Sequence, residues 1–350
     1  MRNPLVFVVY DSIHHSIFEG QVLAPLLKKL AAGLHPTIHI ISFEETLSPA
    51  VLAAQKKFSA LHPALTLTII KRPRFTFAFL LQYQAQQLRA ILTKFSTPYD
   101  LYARGPLAGL IAHKATTLQC AALTIQARGL LAQEHCYTHR SVKGWRFYAH
   151  ALRQQQLWHI EKECYTAPLN ASYSFSIEAV SPALEEYLQH TYHTPPSLFV
   201  APHFDTPDPV SHEKKLLYRT QVRKKLAIPE NATVYVYNGS LKPWQCPQET
   251  IAAFKKMYEQ DKTAFYLALT QDTQAMRMLL DQTYLPKTAF AVLHVPQSDV
   301  IRYLCAGDFG LLFREQHPLN WVSRPTKLLE YQAAGLQVVH NNTIALLSQN

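Results

Sequence analysis

DFGLLFREQHPLNWVSRPTKLLEYQAAGLQVV, residues 308–339, joins an apolar strand, a polar loop, a proline-started helix and a glycine stop. Gly310 to Phe313 is a short unbroken apolar run, the pattern of a strand buried on both faces as in a parallel sheet. Pro325 stands where a first helical residue belongs, and Gly335 where the helix closes before the next apolar run, Leu336 to Val339. In open α/β sheets ligands sit beyond the carboxyl ends of strands, near helix N-termini. Unpaired backbone N–H groups and the helix dipole there favour an anion such as a diphosphate. The loop carrying Arg314, Glu315, Asn320 and Ser323 falls in that place. Lys327 and Glu330, three apart, project from neighbouring positions on one helix face, a spacing that equally fits a surface ion pair.

The same alternation extends outward through the chain. Strands are predicted at Leu5 to Tyr10, Thr37 to Ser42, Leu65 to Ile70, Leu101 to Ala103 and Ala121 to Ile125, then at Thr233 to Tyr237, Ala264 to Leu269, Phe290 to Leu293, Phe309 to Phe313 and Leu336 to Val339. Helical stretches separate them, the longest from about Lys143 to Thr166, and this order implies parallel sheets. With 350 residues, 48% of them hydrophobic, the chain can bury two cores. The linker is expected at Thr194 to Val210, which carries Pro195, Pro196, Pro202, Pro207 and Pro209. Residues 1–200 and 201–350 are therefore expected to form two α/β domains.

The pattern R-E-x-x-x-x-N-x-x-S-x-P-T-K-x-x-E-Y-x-x-x-G, from Arg314 to Gly335, resembles the donor-site segment of a subgroup of family-4-like glycosyltransferases. Further segments follow in the same order as in that subgroup: Phe7 to Val22, Tyr102 to Gly109, Gln126 to Glu134 and Val236 to Gln245. The resemblance implies the GT-B fold, two Rossmann-like domains with parallel sheets facing across a cleft. It implies transfer of a sugar from a nucleotide-diphosphate-sugar to an acceptor hydroxyl, with retained anomeric configuration, no other cofactor and no essential metal. Residues 1–200 would be the acceptor side and 201–350 the nucleotide-sugar side. In such enzymes the glutamate at the Glu330 position binds the ribose hydroxyls, and the preceding loop and helix start hold the diphosphate and sugar. Basic residues of the second domain neutralise the diphosphate. Here Lys242 is available for that task while Ser240 stands where arginine is common, so Arg314 and Lys327 are expected to share it. Counting back from Glu330 for a second glutamate at the usual spacing lands on Val322, and Asn320, Ser323 or Glu315 are left to meet the sugar.

In the first domain, the loop after Tyr10 is expected to line the cleft, with Asp11, His14, His15, Ser16, Gly20 and Gln21 as contacts. Gly20 is its single glycine, so hydrogen-bonding side chains stand in for close backbone approach. Among the 17 histidines the most tempting pair, His14 and His15, is adjacent and points apart, a poor chelating pair, and no structural metal is expected in the chain. Arg104 and Arg128 each precede a glycine just past an apolar run, where arginine can hold a phosphate or carboxylate bidentately. Arg128, Glu134 and His15 are the expected catalytic groups, Glu134 as a proton acceptor or orienter of the acceptor hydroxyl. An ordinary ion pair at a helix start is the competing reading.

The five cysteines, Cys120, Cys136, Cys164, Cys246 and Cys305, are scattered without the close pairs of zinc or redox motifs, which points to free thiols in a reducing compartment. The apolar run at the N-terminus ends at Asp11, too short for a membrane span, and the expected location is cytoplasmic. A formal charge of +10 gathers at Lys71 to Arg74, Arg140 to Arg146 and Lys214 to Lys225. The middle cluster interleaves with Trp145, Phe147 and Tyr148, a combination suited to peripheral contact with an anionic membrane as well as to a solvated basic face. No nucleic-acid partner is expected, as no such module is present. The acceptor, whether a glycan, a lipid-linked glycan or a protein, is not encoded in these patterns. A non-catalytic GT-B relative and a basic membrane-surface adaptor are the rival classes.

Overall fold

The computed structural model describes residues 2–10, 12–14, 18–74, 76–166, 172–201 and 207–348. Asp11, His15 and Ser16, expected cleft residues, lie outside the described residues. The chain divides into two compact units, Met1–Asp205 and Thr206–Asn350, within the proline-bearing stretch read as a linker.

Among the described residues, the N-terminal unit builds one parallel sheet from β1 (Leu5–Val9), β2 (Ile38–Glu44), β3 (Leu65–Lys71), β4 (Tyr99–Arg104), β5 (Cys120–Ala127) and β6 (Ser174–Ala179). Their order is β3-β2-β1-β4-β5-β6, the doubly wound arrangement that reverses direction beside β1. All five residues of β1 are buried, which is why it reads as an unbroken apolar run. Sequence patterning missed β6, a half-exposed edge strand whose polar Ser174, Ser176 and Glu178 break its apolar signal. The helix Trp145–Tyr165 falls inside the predicted span.

The C-terminal unit repeats the plan with β7 (Val234–Asn238), β8 (Phe265–Leu269), β9 (Phe290–Leu293), β10 (Phe309–Leu312) and β11 (Gln337–His340), in the order β11-β10-β7-β8-β9. Alternate residues of β8 feed two cores: Phe265, Leu267 and Leu269 one, Tyr266 and Ala268 the other. That is the period of two expected of a strand covered on both faces. Pro325 is the residue before the first helical turn rather than within it, and the helix runs Thr326–Ala333. The preceding loop contains a short helix, Pro318–Trp321, not foreseen from the sequence.

Between β7 and β10 the sheet changes direction, and there the strands separate early. Only Phe309–Tyr235 and Gly310–Val236 pair. The hydroxyl of Tyr331 enters the gap beyond, accepting the Asn238 N–H at 2.9 Å and lying 3.3 Å from the carbonyls of Val236 and Leu311. Gly310 makes room for this ring, since a Cβ there would lie 2.4 Å from Tyr331 Cδ2. Asp308, just before β10, accepts from Arg219, Arg223 and the Val234 N–H at 2.8–2.9 Å. Much of the Lys214–Lys225 cluster is thereby spent inside the unit, with Lys215 also bonded to the Gly335 carbonyl and Lys225 to the Tyr303 hydroxyl.

In the N-terminal unit, the fully buried Glu161 of the long helix caps another helix, Leu131–Thr138. Its carboxylate accepts from Leu131 N at 2.6 Å, Ala132 N at 3.2 Å and the Tyr192 hydroxyl at 2.9 Å. Burial raises its pKa to about 7 although all three donors favour the charged form. Below about pH 4.5 the carboxyl is protonated folded and unfolded alike. As pH rises toward 7 the unfolded chain ionises first, so stability falls across that window. Glu161→Gln should abolish this fall and, by setting an amide N–H against backbone donors, lower stability at pH 7 by about 1–3 kcal/mol. Urea denaturation of parent and variant from pH 4.5 to pH 8 checks both; parallel pH profiles would contradict the assignment.

Candidate functional site

At the carboxyl ends of β7 and β10 the C-terminal unit gathers charged groups that folding leaves incompletely matched. Lys327, Glu330 and Arg314 are 6%, 6% and 9% exposed, so the surface ion pair is excluded as a description of Lys327 and Glu330. Lys327 Nζ and Arg314 Nε are buried without a hydrogen-bond partner, as is Gln245 Oε1. Lys327 Nζ lies 4.8 Å from the centre of the Tyr237 ring. It would be 3.6 Å from a Cβ placed on Gly239, whose φ of +140° and crowding by Gln245 both call for glycine.

Glu330 is held from two sides. Asn238 Nδ2 donates to Oε2 at 2.6 Å, and Gln297 Nε2 to Oε1 at 2.8 Å. A carboxylate has about four lone-pair positions, so each oxygen retains acceptor capacity. Burial raises the Glu330 pKa against the pull of Gln297, Lys327 and Asn238. Burial, reinforced by Arg314, pushes the Lys327 ammonium well below its ordinary range, and burial likewise lowers Arg314. The cause is the same for both cations: charge has left water, and for Lys327 the nearby Glu330 carboxylate opposes the shift without cancelling it.

The loop between β10 and the helix is pinned by its own polar groups. Asn341 accepts the Arg314 N–H at 3.2 Å and donates to the Arg314 carbonyl at 2.7 Å. Asn320, 2% exposed, donates to the Glu315 carbonyl at 2.8 Å, and Ser323 donates to the Asn320 carbonyl at 2.7 Å. Two of the three expected sugar contacts, Asn320 and Ser323, thus shape the loop, and Glu315 contributes its carbonyl to it. Lys242 is exposed and lies 4.9 Å from the Trp244 ring centre, outside the buried group that contains Lys327. Val322, at the place of the absent glutamate, is 1% exposed. Asn238, Gln297 and Gln245 were missed by sequence reasoning. Asn238 and Gln245 stand inside the quoted segment Val236 to Gln245, whereas nothing near Gln297 signals its role.

In the N-terminal unit the ends of β4 and β5 bring together three expected residues. Gln21 Oε1 accepts from Arg104 Nη2 at 2.8 Å and Arg128 Nη2 at 2.9 Å, so two guanidinium groups converge on one neutral oxygen. The loop after β1 is anchored by Glu44, another residue the sequence did not flag. Buried to 1% exposure, it accepts from Ser12 Oγ at 2.5 Å, Ile13 N at 2.9 Å and Ser42 Oγ at 2.7 Å. Ser12 spends its proton on Glu44, which makes His14 Nδ1, 2.7 Å away, the donor to Ser12. Gly20 lies in a π-helical turn, Glu19–Leu23, where a Cβ would meet nothing within 4 Å. Glu134 is exposed on the helix Leu131–Thr138. Farther along, Trp145, Phe147, Tyr148 and Leu152 are 56–76% exposed.

No protein-family model matches the chain, and no curated protein matches it in sequence. Solved structures do. The chain is similar to WaaG, a glycosyltransferase involved in lipopolysaccharide biosynthesis, with TM-score 0.61 at 15% identity over 99% of this chain and 83% of that one. HepE of Anabaena, solved with UDP and glucose, gives 0.63 at 12% identity over 99% and 82%. A UDP-forming trehalose-phosphate synthase of Burkholderia vietnamiensis gives 0.61 at 9% identity over 99% and 86%. Two parallel, Rossmann-ordered sheets in two units, matched along nearly the whole chain, are the GT-B architecture of these glycosyltransferases.

Proposed function

We propose that this protein transfers a sugar from a nucleoside-diphosphate sugar to an acceptor hydroxyl, with retention at the anomeric carbon and without a metal at the transfer step. The single observation that supports this most is the pair of buried cations, Lys327 and Arg314, with unmatched N–H groups at the point where the C-terminal sheet changes direction. A diphosphate there satisfies both, and as it departs they stabilise its growing charge in a site shielded from water. Glu330 accepts the ribose hydroxyls through the lone pairs that Asn238 and Gln297 leave open. Lys242 meets the outer phosphate, while Asn320 and Ser323 fix the loop that borders the sugar. Arg104, Arg128 and Gln21, with Glu134 and His14, serve the acceptor side, to which Asp11 and His15 also belong, while Gly20 serves the donor by allowing close backbone approach. HepE, solved with UDP and glucose, and the UDP-forming synthase agree with a nucleotide-sugar donor, and WaaG with a glycan or lipid-linked acceptor.

Two observations favour other readings. Val322 in place of a glutamate favours a non-catalytic relative, which would bind nucleotide yet release no nucleoside diphosphate from any donor and acceptor pair. The exposed Trp145, Phe147, Tyr148 and Leu152 beside Arg140, Lys143 and Arg146 favour peripheral contact with an anionic membrane from the cytoplasmic side. Salt-sensitive vesicle binding with no nucleotide affinity would make the protein a basic adaptor instead.

Lys327→Met separates ligand binding from folding. Replacing a buried ammonium that has no hydrogen-bond partner by an apolar chain of similar volume removes its desolvation cost and should leave the ligand-free protein folded and at least as stable as the parent. It should also weaken nucleoside diphosphate binding far more than nucleoside binding. Glu330→Ala should weaken nucleotide-sugar binding by about 1–3 kcal/mol. Calorimetry and denaturation measure these quantities; equal loss of diphosphate and nucleoside binding in Lys327→Met would contradict the assignment.

Arg128→Ala should bind donor as the parent does while transfer falls by about tenfold to ten-thousandfold, the range for lost charge stabilisation or acid–base help. Donor affinity by calorimetry and nucleoside diphosphate release by a coupled assay distinguish the two steps. Transfer at the parental rate would make the Arg104–Gln21–Arg128 group structural.

A further inference from the structure

Three histidines of the N-terminal unit form a cluster that the proposed transfer does not use. His135 lies on the helix Leu131–Thr138 and His139 is its C-terminal cap, four residues on, so both occupy one helical face. His150 comes from the following helix, Trp145–Tyr165. One nitrogen from each ring lies within 4.8 Å of the other two, and the ring centres are 3.9–5.3 Å apart. All three residues are partly exposed, which leaves a path for an ion and a position for water.

We propose that His135, His139 and His150 form a binding site for one late first-row transition-metal dication, Zn²⁺ by preference, that ties these two helices together. Four ligands around zinc at about 2.0–2.1 Å stand about 3.4 Å apart, so the stacked His139 and His150 rings, 20° from parallel, must turn about their side-chain bonds until their nitrogens converge on the ion. His139 Nδ1 lies 2.8 Å from the His135 carbonyl, to which it donates. That bond fixes the tautomer and leaves Nε2 as the ligand atom, the second-shell arrangement typical of metal-bound histidine. His135 Nε2 and His150 Nδ1 are 3.4 Å apart, already at the separation of two ligands on one ion. Three imidazoles with no carboxylate select zinc, copper or nickel over the hard ions Mg²⁺ and Ca²⁺, which require oxygen. The fourth position is left to water. The positive charges of Arg146 and Arg153, felt by His150 and His135 respectively, further disfavour any ion held by charge alone. The sequence carried half of this signal, a His-x-x-x-His pair, but its third ligand depends on how the two helices meet.

The test uses the full chain without a polyhistidine tag. Calorimetry with ZnCl₂ should show one ion per chain with a low-micromolar or tighter Kd and a raised Tm, and MgCl₂ should shift nothing. Co²⁺ should give the visible absorption of a tetrahedral site. His150→Ala and, separately, His139→Ala should each weaken zinc binding by at least about tenfold, with unchanged circular dichroism, while His190→Ala at an exposed position elsewhere should not. Absence of zinc binding, or zinc affinity unchanged in both His139→Ala and His150→Ala, would overturn the site. So would an equal response to Mg²⁺.

Discussion

Two basic side chains removed from water, with the Glu330 carboxylate only partly offsetting the charge of Lys327, are the constraint around which the C-terminal unit is organised. Leaving a buried ammonium or guanidinium without hydrogen-bond partners costs several kcal/mol in the ligand-free state. That cost persists only because the surrounding elements hold the groups in place: Asn341 grips the main chain of Arg314, and Lys327 is carried by a helix whose Tyr331 is locked between two strands. A dianion bound there would offset the cost directly, so the same feature that weakens the empty fold would favour an occupied one.

The architecture places those charges with simple means. Parallel strands that part company at a direction change leave backbone N–H groups and a crevice beyond their ends. Here the gap is bounded by the Tyr331 hydroxyl, admitted by the missing side chain of Gly310. Glycine at 239 lets Lys327 approach the end of β7. The N-terminal unit repeats the topology but places two arginines, from the ends of β4 and β5, on Gln21, so the two sheets offer different chemistry on one plan.

Much of this was legible in the sequence where burial imposes a pattern. Ten strands followed from apolar runs, and the ordered motifs that resemble family-4-like glycosyltransferases pointed to the GT-B fold that the structural neighbours share. The edge strand β6 escaped because Ser174, Ser176 and Glu178 interrupt its apolar run. Three-residue spacing could not say whether Lys327 and Glu330 face outward or inward, since that depends on how the helix docks against β10. The partners of Glu330 escaped for the same reason: Asn238 and Gln297 are distant in sequence and meet only at Glu330, where the end of β7 and the helix starting at Gln297 both reach the helix Thr326–Ala333. Asn320 and Ser323 were legible as polar loop residues, but their hydrogen bonds to the loop's own carbonyls arise from the turn Pro318–Trp321, which no periodicity announces.

The most direct measurement is the proton balance of diphosphate binding, by calorimetry in two buffers of different ionisation enthalpy. Burial depresses the Lys327 ammonium in the empty protein, and an incoming dianion restores its charge. UDP or another nucleoside diphosphate should therefore bind with net proton uptake and lose affinity as pH rises, whereas the parent nucleoside should bind without either effect. Diphosphate binding with no proton uptake, or no stronger than that of the nucleoside, would contradict the claim that these buried cations await the donor's diphosphate.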